Sequence, residues 1–331
     1  MPISKVFMAT INYDHPQNGM ISAFKQKFGQ TNVDHFDYVQ LWIHKTPNHE
    51  INEQFFHKAS IFRPDWIWLQ LQDTNIITPD TIRRVARQLP KCVITHWTGD
   101  VRSSISEYVA SISKATHMTF ISAAGLIDKY RAIGASRVKY LQIGVDWDED
   151  VMGIPAWTPS FKNVDVIFCG SHYKHFPGSK QREAAMLALA AANIDYGVVG
   201  TGWKSGIKVL GTCGVKQQYH AYQKAKVALS INNFNDIYLY YSDRQLISMA
   251  SGKPVVCHYV PGLEREFQNG VHCLWYKTPE ELVDNVKKLL ADPAMRDRIG
   301  KAGREEIIKN HTWMRRIDTV IDDVNAIQAS L

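Results

Sequence analysis

The sequence predicts an α/β protein built from two Rossmann-like, doubly wound parallel-sheet domains. Three observations lead there. The chain has 331 residues, past the size at which a single hydrophobic core keeps growing, so about two domains are expected. Short runs of β-branched and aromatic residues recur with helix-length stretches between them, the pattern of parallel strands covered on both faces. The runs fall into two sets, divided by Gly153-Ile-Pro-Ala-Trp-Thr-Pro159, whose glycine and two prolines suit neither a helix nor a central strand.

The first set of strands is expected at residues 6–11, 66–71, 92–97, 118–122 and 138–143, and the second at 164–169, 196–199, 227–231 and 254–259. Each run is too short for a buried helix. Helix signals are clearest near the C-terminus. Thr278-Pro279-Glu280-Glu281 combines a capping hydroxyl, a proline at the first helical position and a glutamate at the third, ahead of Leu282, Val286, Leu289 and Leu290 on one face. Asp292-Pro293 starts another helix, and residues 313–327 carry Ile317, Val320, Ile321 and Val324 at helical spacing. The expected division is a first domain over 1–152, a linker over 153–162, a second domain over 163–310 and a terminal helix over 311–331.

Apolar residues make up 45% and charged residues 21%, ordinary for a folded chain, which excludes disorder, collagen and coiled coil as descriptions of the whole. Cys92, Cys169, Cys213, Cys257 and Cys273 are widely spaced and form no CxxC pair, so they read as buried thiols of a reducing compartment. No signal-peptide pattern and no run of about 18 apolar residues occurs; a soluble cytoplasmic protein is expected. The formal charge is +6 and uneven: residues 1–152 carry 16 Lys/Arg against 15 Asp/Glu, and residues 153–331 carry 22 against 17. Between Asp195 and Asp236 no acid occurs, while Lys204, Lys208, Lys216, Lys224 and Lys226 all fall there. That run is a solvated face or a surface for an anionic ligand or nucleic-acid backbone.

Ligands of open α/β sheets sit at the carboxyl ends of the strands, where loops and helix N-termini collect anions. The first strand leads into Asn12-Tyr-Asp-His-Pro-Gln-Asn-Gly19; it is not GxGxxG, and it reads equally as a turn or a phosphate contact. Thr95-His96-Trp97-Thr98-Gly99-Asp100-Val101-Arg102 gathers ionisable groups, of which His96 and Asp100 can hydrogen-bond a sugar hydroxyl or act as a base. The plainer reading is a loop held by its own hydrogen bonds, with Trp97 either a stacking face or core. In the second half, Asp165-Val-Ile-Phe-Cys-Gly170-Ser171 is followed by Lys174, Lys180 and Arg182, amides and cations able to clamp a diphosphate. Further on, Asn232 opens a polar loop reaching Ser242-Asp243-Arg244, then a short helix ending at Gly252; arginine at such a helix start suits bidentate phosphate contact.

The order of strand-Gly170-Ser171, Val-Val-Gly200-Thr-Gly202, Asn232, Ser-Asp-Arg244, Met-Ala-Ser-Gly-Lys-Pro-Val-Val256, Pro-Gly-Leu-Glu264, Asn-Gly270, the capped Glu280-Glu281 helix and His311-Thr-Trp-Met-Arg315 resembles the donor half of group 1 glycosyltransferases of GT-B architecture, closest to a divergent, spore-maturation-protein-like branch. The resemblance covers residues 163–316; the first half matches through the Gly19 loop, the His96 loop and Ile143-Gly-Val-Asp146. It implies a UDP- or GDP-sugar donor held by the second domain, a hydroxyl acceptor on the first, retention of configuration, and a terminal helix crossing back to the first domain. The implied donor contacts are Gly19, Gly170, Ser171, Lys180, Arg182, Gly200, Asn232, Ser242, Asp243, Arg244 and Glu264. Arg244 with Lys180 or Arg182 would neutralise the departing diphosphate, and the catalytic candidates are His96, Asp100 and Arg244.

One position departs from the pattern. Three residues after the arginine the family usually carries a ribose-holding glutamate, and here it is Ile247; Ser248 or Glu264 is left to replace it. Asp146-Trp-Asp148-Glu-Asp150 contains DxD, an oxygen-rich pattern that suits magnesium or manganese, yet its place near the domain junction argues against a metal, and neither metal nor covalent cofactor is expected. Two other readings stand beside this one: a glycosyltransferase acting on hydroxylated bases of phage DNA, which the basic balance permits, and a non-catalytic nucleic-acid or nucleotide-binding protein using the 204–226 run, for which no nucleic-acid-reading motif is present.

Overall fold

The computed structural model describes residues 2–11, 18–145 and 157–331, which form two compact units: one from Met1–Asp146 together with Trp313–Leu331, the other from Trp147–Thr312. The first holds six strands, β1 (Val6–Ala9), β2 (Val33–Phe36), β3 (Trp66–Leu69), β4 (Val93–Thr98), β5 (Met118–Ile121) and β6 (Val138–Tyr140), in the order β2-β1-β3-β4-β5-β6. The second holds β7 (Val164–Cys169), β8 (Tyr196–Val199), β9 (Val209–Gly211), β10 (Ala225–Ser230), β11 (Val255–His258) and β12 (Leu274–Tyr276), in the order β12-β11-β10-β7-β8-β9. Neighbouring strands are parallel throughout both sheets. This is the doubly wound pair expected, with β2, β9 and β12 added at sheet edges.

Strand alternation divides the first unit's core between the two faces of its sheet. Val6 and Met8 point to one side, with Trp66, Trp68, Trp97 and Phe120, while Phe7 and Ala9 point to the other, with Ile67, Leu69 and Ile94. The first side is covered by the helix Asn18–Phe28 and by the chain's last segment, through Trp313, Ile317, Val320, Val324 and Ile327. That segment is two helices, Trp313–Asp318 and Ile321–Ser330, not the single one that its spacing suggests. The Thr319 hydroxyl donates back to the Arg316 carbonyl at 2.7 Å, a side-chain bond that competes with the helical ladder where the break falls.

The caps expected at Thr278 and Asp292 form, and two more appear at Thr78 and Ser106. Thr78, Ser106, Thr278 and Asp292 each accept a hydrogen bond from a backbone N–H in the first turn of the helix that follows. All five cysteines are free thiols, four of them buried and Cys213 half-buried. Among the described residues no helix is long and apolar enough to cross a membrane.

Trp313 is 2% exposed and meets Trp97 edge-on at 5.1 Å and Trp68 at 6.4 Å. Trp313→Ala should therefore cost the first unit about 3–5 kcal/mol, the usual range for emptying a buried aromatic site. Urea denaturation followed by tryptophan fluorescence checks it, and a loss below about 1 kcal/mol would mean that the terminal helices are not part of this core.

Candidate functional site

In the second sheet the chain winds outward from β7 to β8 and β9, then returns to start β10 on β7's other side. The carboxyl ends of β7 and β10 therefore diverge into a crevice, the usual ligand position of such sheets. Carbonyl oxygens gather there, and two guanidinium groups answer them. Arg182 donates through Nε and Nη2 to the Ile231 carbonyl at 3.1 and 3.0 Å and through Nη1 to the Ser171 carbonyl at 2.7 Å. Arg244 donates through Nε to the Cys169 carbonyl, and through Nη1 to the Ile231 carbonyl and the Ser242 hydroxyl, each at 3.2 Å. The Phe168 ring lies beside both, 5.4 and 5.2 Å from the guanidinium carbons.

The two arginines are not equivalent. Arg182 is 1% exposed, and burial together with the neighbouring Arg244 charge pushes its pKa down; it ties β7 to β10 from beneath. This corrects its expected part in donor contact, because a side chain so covered cannot reach a ligand. Arg244 is half-buried, and its Nη2 makes no hydrogen bond among the described residues.

Close backbone approaches shape the crevice. A Cβ on Gly178 would lie 2.1 Å from the Asn232 carbonyl oxygen, so only glycine lets the helix Gly178–Ala191 begin there, its N–H bonded to the Asn233 carbonyl at 2.8 Å. Gly200 has φ +156° and stands against the Gly170 carbonyl, 2.3 Å from where a Cβ would sit, in backbone space that favours glycine. The Ser171 hydroxyl meets that of Thr201 at 3.1 Å. Asn232 is 2% exposed, and its Oδ1 accepts from the Ser242 N–H at 3.0 Å, which fastens the loop to the start of the helix Asp243–Ala250. Asp243 accepts from the Arg244 N–H at 2.9 Å.

The remaining expected residues scatter. Lys180 is exposed on the helix that buries Arg182. Glu264 is exposed on a turn after β11 and accepts from the Tyr259 hydroxyl at 3.0 Å. Ser248 is fully buried and donates to the Gln245 carbonyl at 3.0 Å, which removes it as a stand-in for the missing glutamate. Gly19 is buried in its helix next to the β1 end, while residues 12–17 and the cluster of Asp146, Asp148 and Asp150 lie outside the described residues. Among the described residues no group of three or more His, Cys, Asp or Glu could hold a metal ion. Much of the basic run is answered by acids: Lys204 pairs with Glu183, Lys208 with Asp195 and Lys226 with Asp165, at 2.8, 2.5 and 2.8 Å.

In the first unit, β4 continues through Thr98, two residues beyond His96. His96 is consequently fully buried on the face it shares with Ile94, and burial alone pulls its pKa down to about 3. This corrects its reading as a catalytic base, because a neutral ring inside the sheet touches no substrate. Trp97 is core, 1% exposed and bonded to the Leu141 carbonyl at 2.9 Å. Asp100 does lie beyond the strand end, exposed, paired with Arg102 at 3.0 Å, its N–H 3.3 Å from Gln72 Oε1. It lines a small cavity of about 30 Å³ with Gln72, Thr98, Arg102, Ser106 and Tyr130.

Residues 181–322 match the family model described as Glycosyl transferase-like, a span that includes both arginines of the crevice. Over its whole length the chain is similar in structure to sucrose-phosphate synthase from Thermosynechococcus elongatus, at 14% identity and TM-score 0.62, covering 99% of this chain and 100% of that one. It is likewise similar to HepE of Anabaena solved with UDP and glucose, at 13% identity and TM-score 0.63, and to a mutant of T4 phage BGT solved with UDP-glucose, at 14% and 0.59; each likeness covers 99% of this chain and 100% of the other. The fold is that of GT-B glycosyltransferases. No curated protein matches the chain in sequence.

The second unit also contains a buried polar network that its sequence did not announce. His311 is 3% exposed, with Nδ1 at 3.6 Å from Glu266 and Nε2 at 3.4 Å from Glu306, and its ring stacks on Phe267 at 4.7 Å. The Tyr241 hydroxyl donates to Glu266 at 3.1 Å, joining the residue before Ser242 to the end of the helix Pro293–Asn310. Hydrogen bonding from His311 outweighs burial and holds Glu306 down at about 2, against an ordinary value of 4.5.

A carboxylate depressed in the folded state stabilises above its unfolded pKa and loses that contribution as pH falls through its folded one. The window for Glu306 thus runs from about pH 4.5 down to about 2. Between pH 6 and pH 3 the wild type should lose more of its urea midpoint than Glu306→Gln; parallel losses would show that the network carries no pH-dependent stability.

Proposed function

We propose that this protein is a glycosyltransferase that moves a hexose or pentose from a UDP-sugar to a hydroxyl acceptor, with retention and with no divalent metal. The observation that carries the donor half is Arg244: a half-buried guanidinium whose Nη2 makes no hydrogen bond among the described residues, held by strand-end carbonyls in the crevice between β7 and β10. HepE and T4 phage BGT, solved with UDP and UDP-glucose, support uridine as the nucleotide. As the bond between the sugar's anomeric carbon and the diphosphate breaks, negative charge grows on the leaving oxygen, and a preorganised cation there lowers the barrier. Arg244, with Lys180 at the donor's edge, supplies that charge in place of a metal.

Retention is favoured by what the first unit offers. With His96 buried and Asp100 engaged by Arg102, no strong base is positioned by that loop; the acceptor proton passes to the departing phosphate oxygen as the acceptor oxygen bonds to the anomeric carbon on the face it leaves. For the ribose, Glu264 takes over from the family glutamate, since the turn after β11 lies at the same end of the sheet as Arg244, beside β10.

Arg244→Ala should lower turnover at least ~100-fold, the scale of removing one transition-state charge, while its thermal midpoint stays near wild type. UDP release from UDP-glucose with an acceptor panel measures it, and near-normal turnover would remove Arg244 from the site. The rate should also survive EDTA; complete loss restored by manganese would instead assign the counter-charge to the Asp146–Asp148 stretch. UDP, added to the folded protein, should raise its melting temperature as any ligand specific to the native state does.

The first unit's part separates from nucleotide binding. Asp100→Ala should depress transfer with little change in the calorimetric affinity for UDP, because contacts made only in the transition state appear in turnover. His96→Leu should leave both within about threefold, since apolar replacement of a buried, unpaired ring removes no substrate contact. Loss of transfer in His96→Leu with an intact fold would restore His96 to the chemistry.

A further inference from the structure

A second cavity, of about 500 Å³, opens at the other end of the second sheet, where β7, β10 and β11 begin, away from the crevice of Arg244. Lys224, Lys226, Lys253, Arg296 and Arg304 line it, and Asp297 is the acid among its lining residues. Lys226 is already paired with Asp165 at 2.8 Å. Arg304 too has a partner, yet Lys224, Lys253 and Arg296 still stand against Asp297 alone, so the lining is net positive.

The helix Pro293–Asn310 puts those cations there through one small residue. A Cβ on Gly300 would lie 2.2 Å from the Gly252 carbonyl oxygen, so glycine allows the helix to lie directly on the Gly252–Lys253 backbone. Arg296 and Arg304 are four residues to either side of Gly300 and share its face. Arg304 accordingly passes Gly252, with Cδ 3.7 Å from where a Cβ there would be, and Arg296 Nη1 is fixed on the Leu289 and Leu290 carbonyls at 2.7 and 3.0 Å. Lys253 lies half-buried between these elements; burial, with Arg296 adding to it, pulls its pKa down, and Asp297 only partly opposes this. An anion in the cavity would relieve that disfavoured charge.

We propose that this rear cavity binds a small, multiply charged phosphate anion of the size of a di- or triphosphate. A nucleic-acid backbone needs a track of cations along the surface. Here they converge into one concavity, and Lys204 and Lys208, other cations of the same basic run, are neutralised by Glu183 and Asp195. The inference does not depend on the transferase reading.

Isothermal titration with sodium tripolyphosphate at low salt tests it, using the whole protein, Lys253→Gln, the double variant Lys253→Gln/Arg304→Gln, and Arg244→Gln. Tripolyphosphate should bind the wild type, bind at least ~10-fold more weakly to Lys253→Gln and more weakly still to the double variant, as expected for loss of charge-assisted phosphate bonds; Arg244→Gln should lose only what the crevice at the carboxyl ends of the strands adds, and Lys253→Gln should weaken the remaining binding on that background too. Melting curves of each variant report whether it is folded. Absence of binding to the wild type overturns the proposal. So does binding lost in Arg244→Gln and kept in folded Lys253→Gln, which places the anion at the strands' carboxyl ends, and so does binding of duplex DNA without tripolyphosphate.

Discussion

The donor half of the molecule depends on what becomes of the carbonyl groups where β7 and β10 part. Two neighbouring parallel strands that feed connections running to opposite sides leave Cys169, Ser171 and Ile231 without ladder partners, and buried carbonyls without donors are costly. Two guanidinium groups resolve this at once, each forking across more than one carbonyl as a planar multi-donor group can. The division of labour follows from depth. Arg182, sealed beneath, makes the crevice; Arg244, at its surface, keeps donor capacity that a diphosphate can use. The electrostatics of the site thus originates in backbone topology, and the same cations that hold the strand ends are there to oppose a leaving group's charge.

How much of this was legible depends on whether a position is decided locally. Strands buried on both faces announced themselves as continuous apolar runs, and helices with hydroxyl or carboxylate caps announced their first residue, as at Thr278 and Asp292. The three strands that the sequence concealed, β2, β9 and β12, are all sheet edges. An edge strand is covered from fewer directions, so Val33-Asp-His-Phe36 alternates with charge and Val209–Gly211 is largely exposed, and neither stands out from a loop. The error at His96 is of another kind. His96 already lay inside the strand expected at 92–97, and strand alternation puts it on the covered face with Ile94; its grouping with the polar residues that follow hid that a strand buried on both faces leaves no side for it to reach a ligand.

Arg182 and Lys180 show a signal present and unused. Counting back from Ala185, Met186 and Leu189, the buried face of that helix passes through position 182 and misses 180, so helical period alone separates the buried arginine from the exposed lysine. The network of Tyr241, Glu266, Glu306 and His311 had no such signal. Its members are 70 residues apart at their extremes and meet only because the helix Pro293–Asn310 packs along the helix that Arg244 begins, an arrangement no local pattern encodes.

Glycine within or at the start of a helix reads in sequence as a weak point, costing about 1 kcal/mol against alanine. Both Gly178 and Gly300 are of that kind, and both are helix residues set against another segment's carbonyl, at 2.1 and 2.2 Å from a would-be Cβ. Since ordinary carbon–oxygen contact needs well over 3 Å, alanine at either site would push its helix outward by about an ångström, a displacement that close-packed interiors resist. That is also enough to spoil the hydrogen bonds of Arg182 four residues after Gly178 and the placement of Arg296 four residues before Gly300. The positions of the second unit's cations at both ends of its sheet are therefore set by residues with no charge at all. A reading confined to charged and polar residues finds the cations in the sequence without finding where they go.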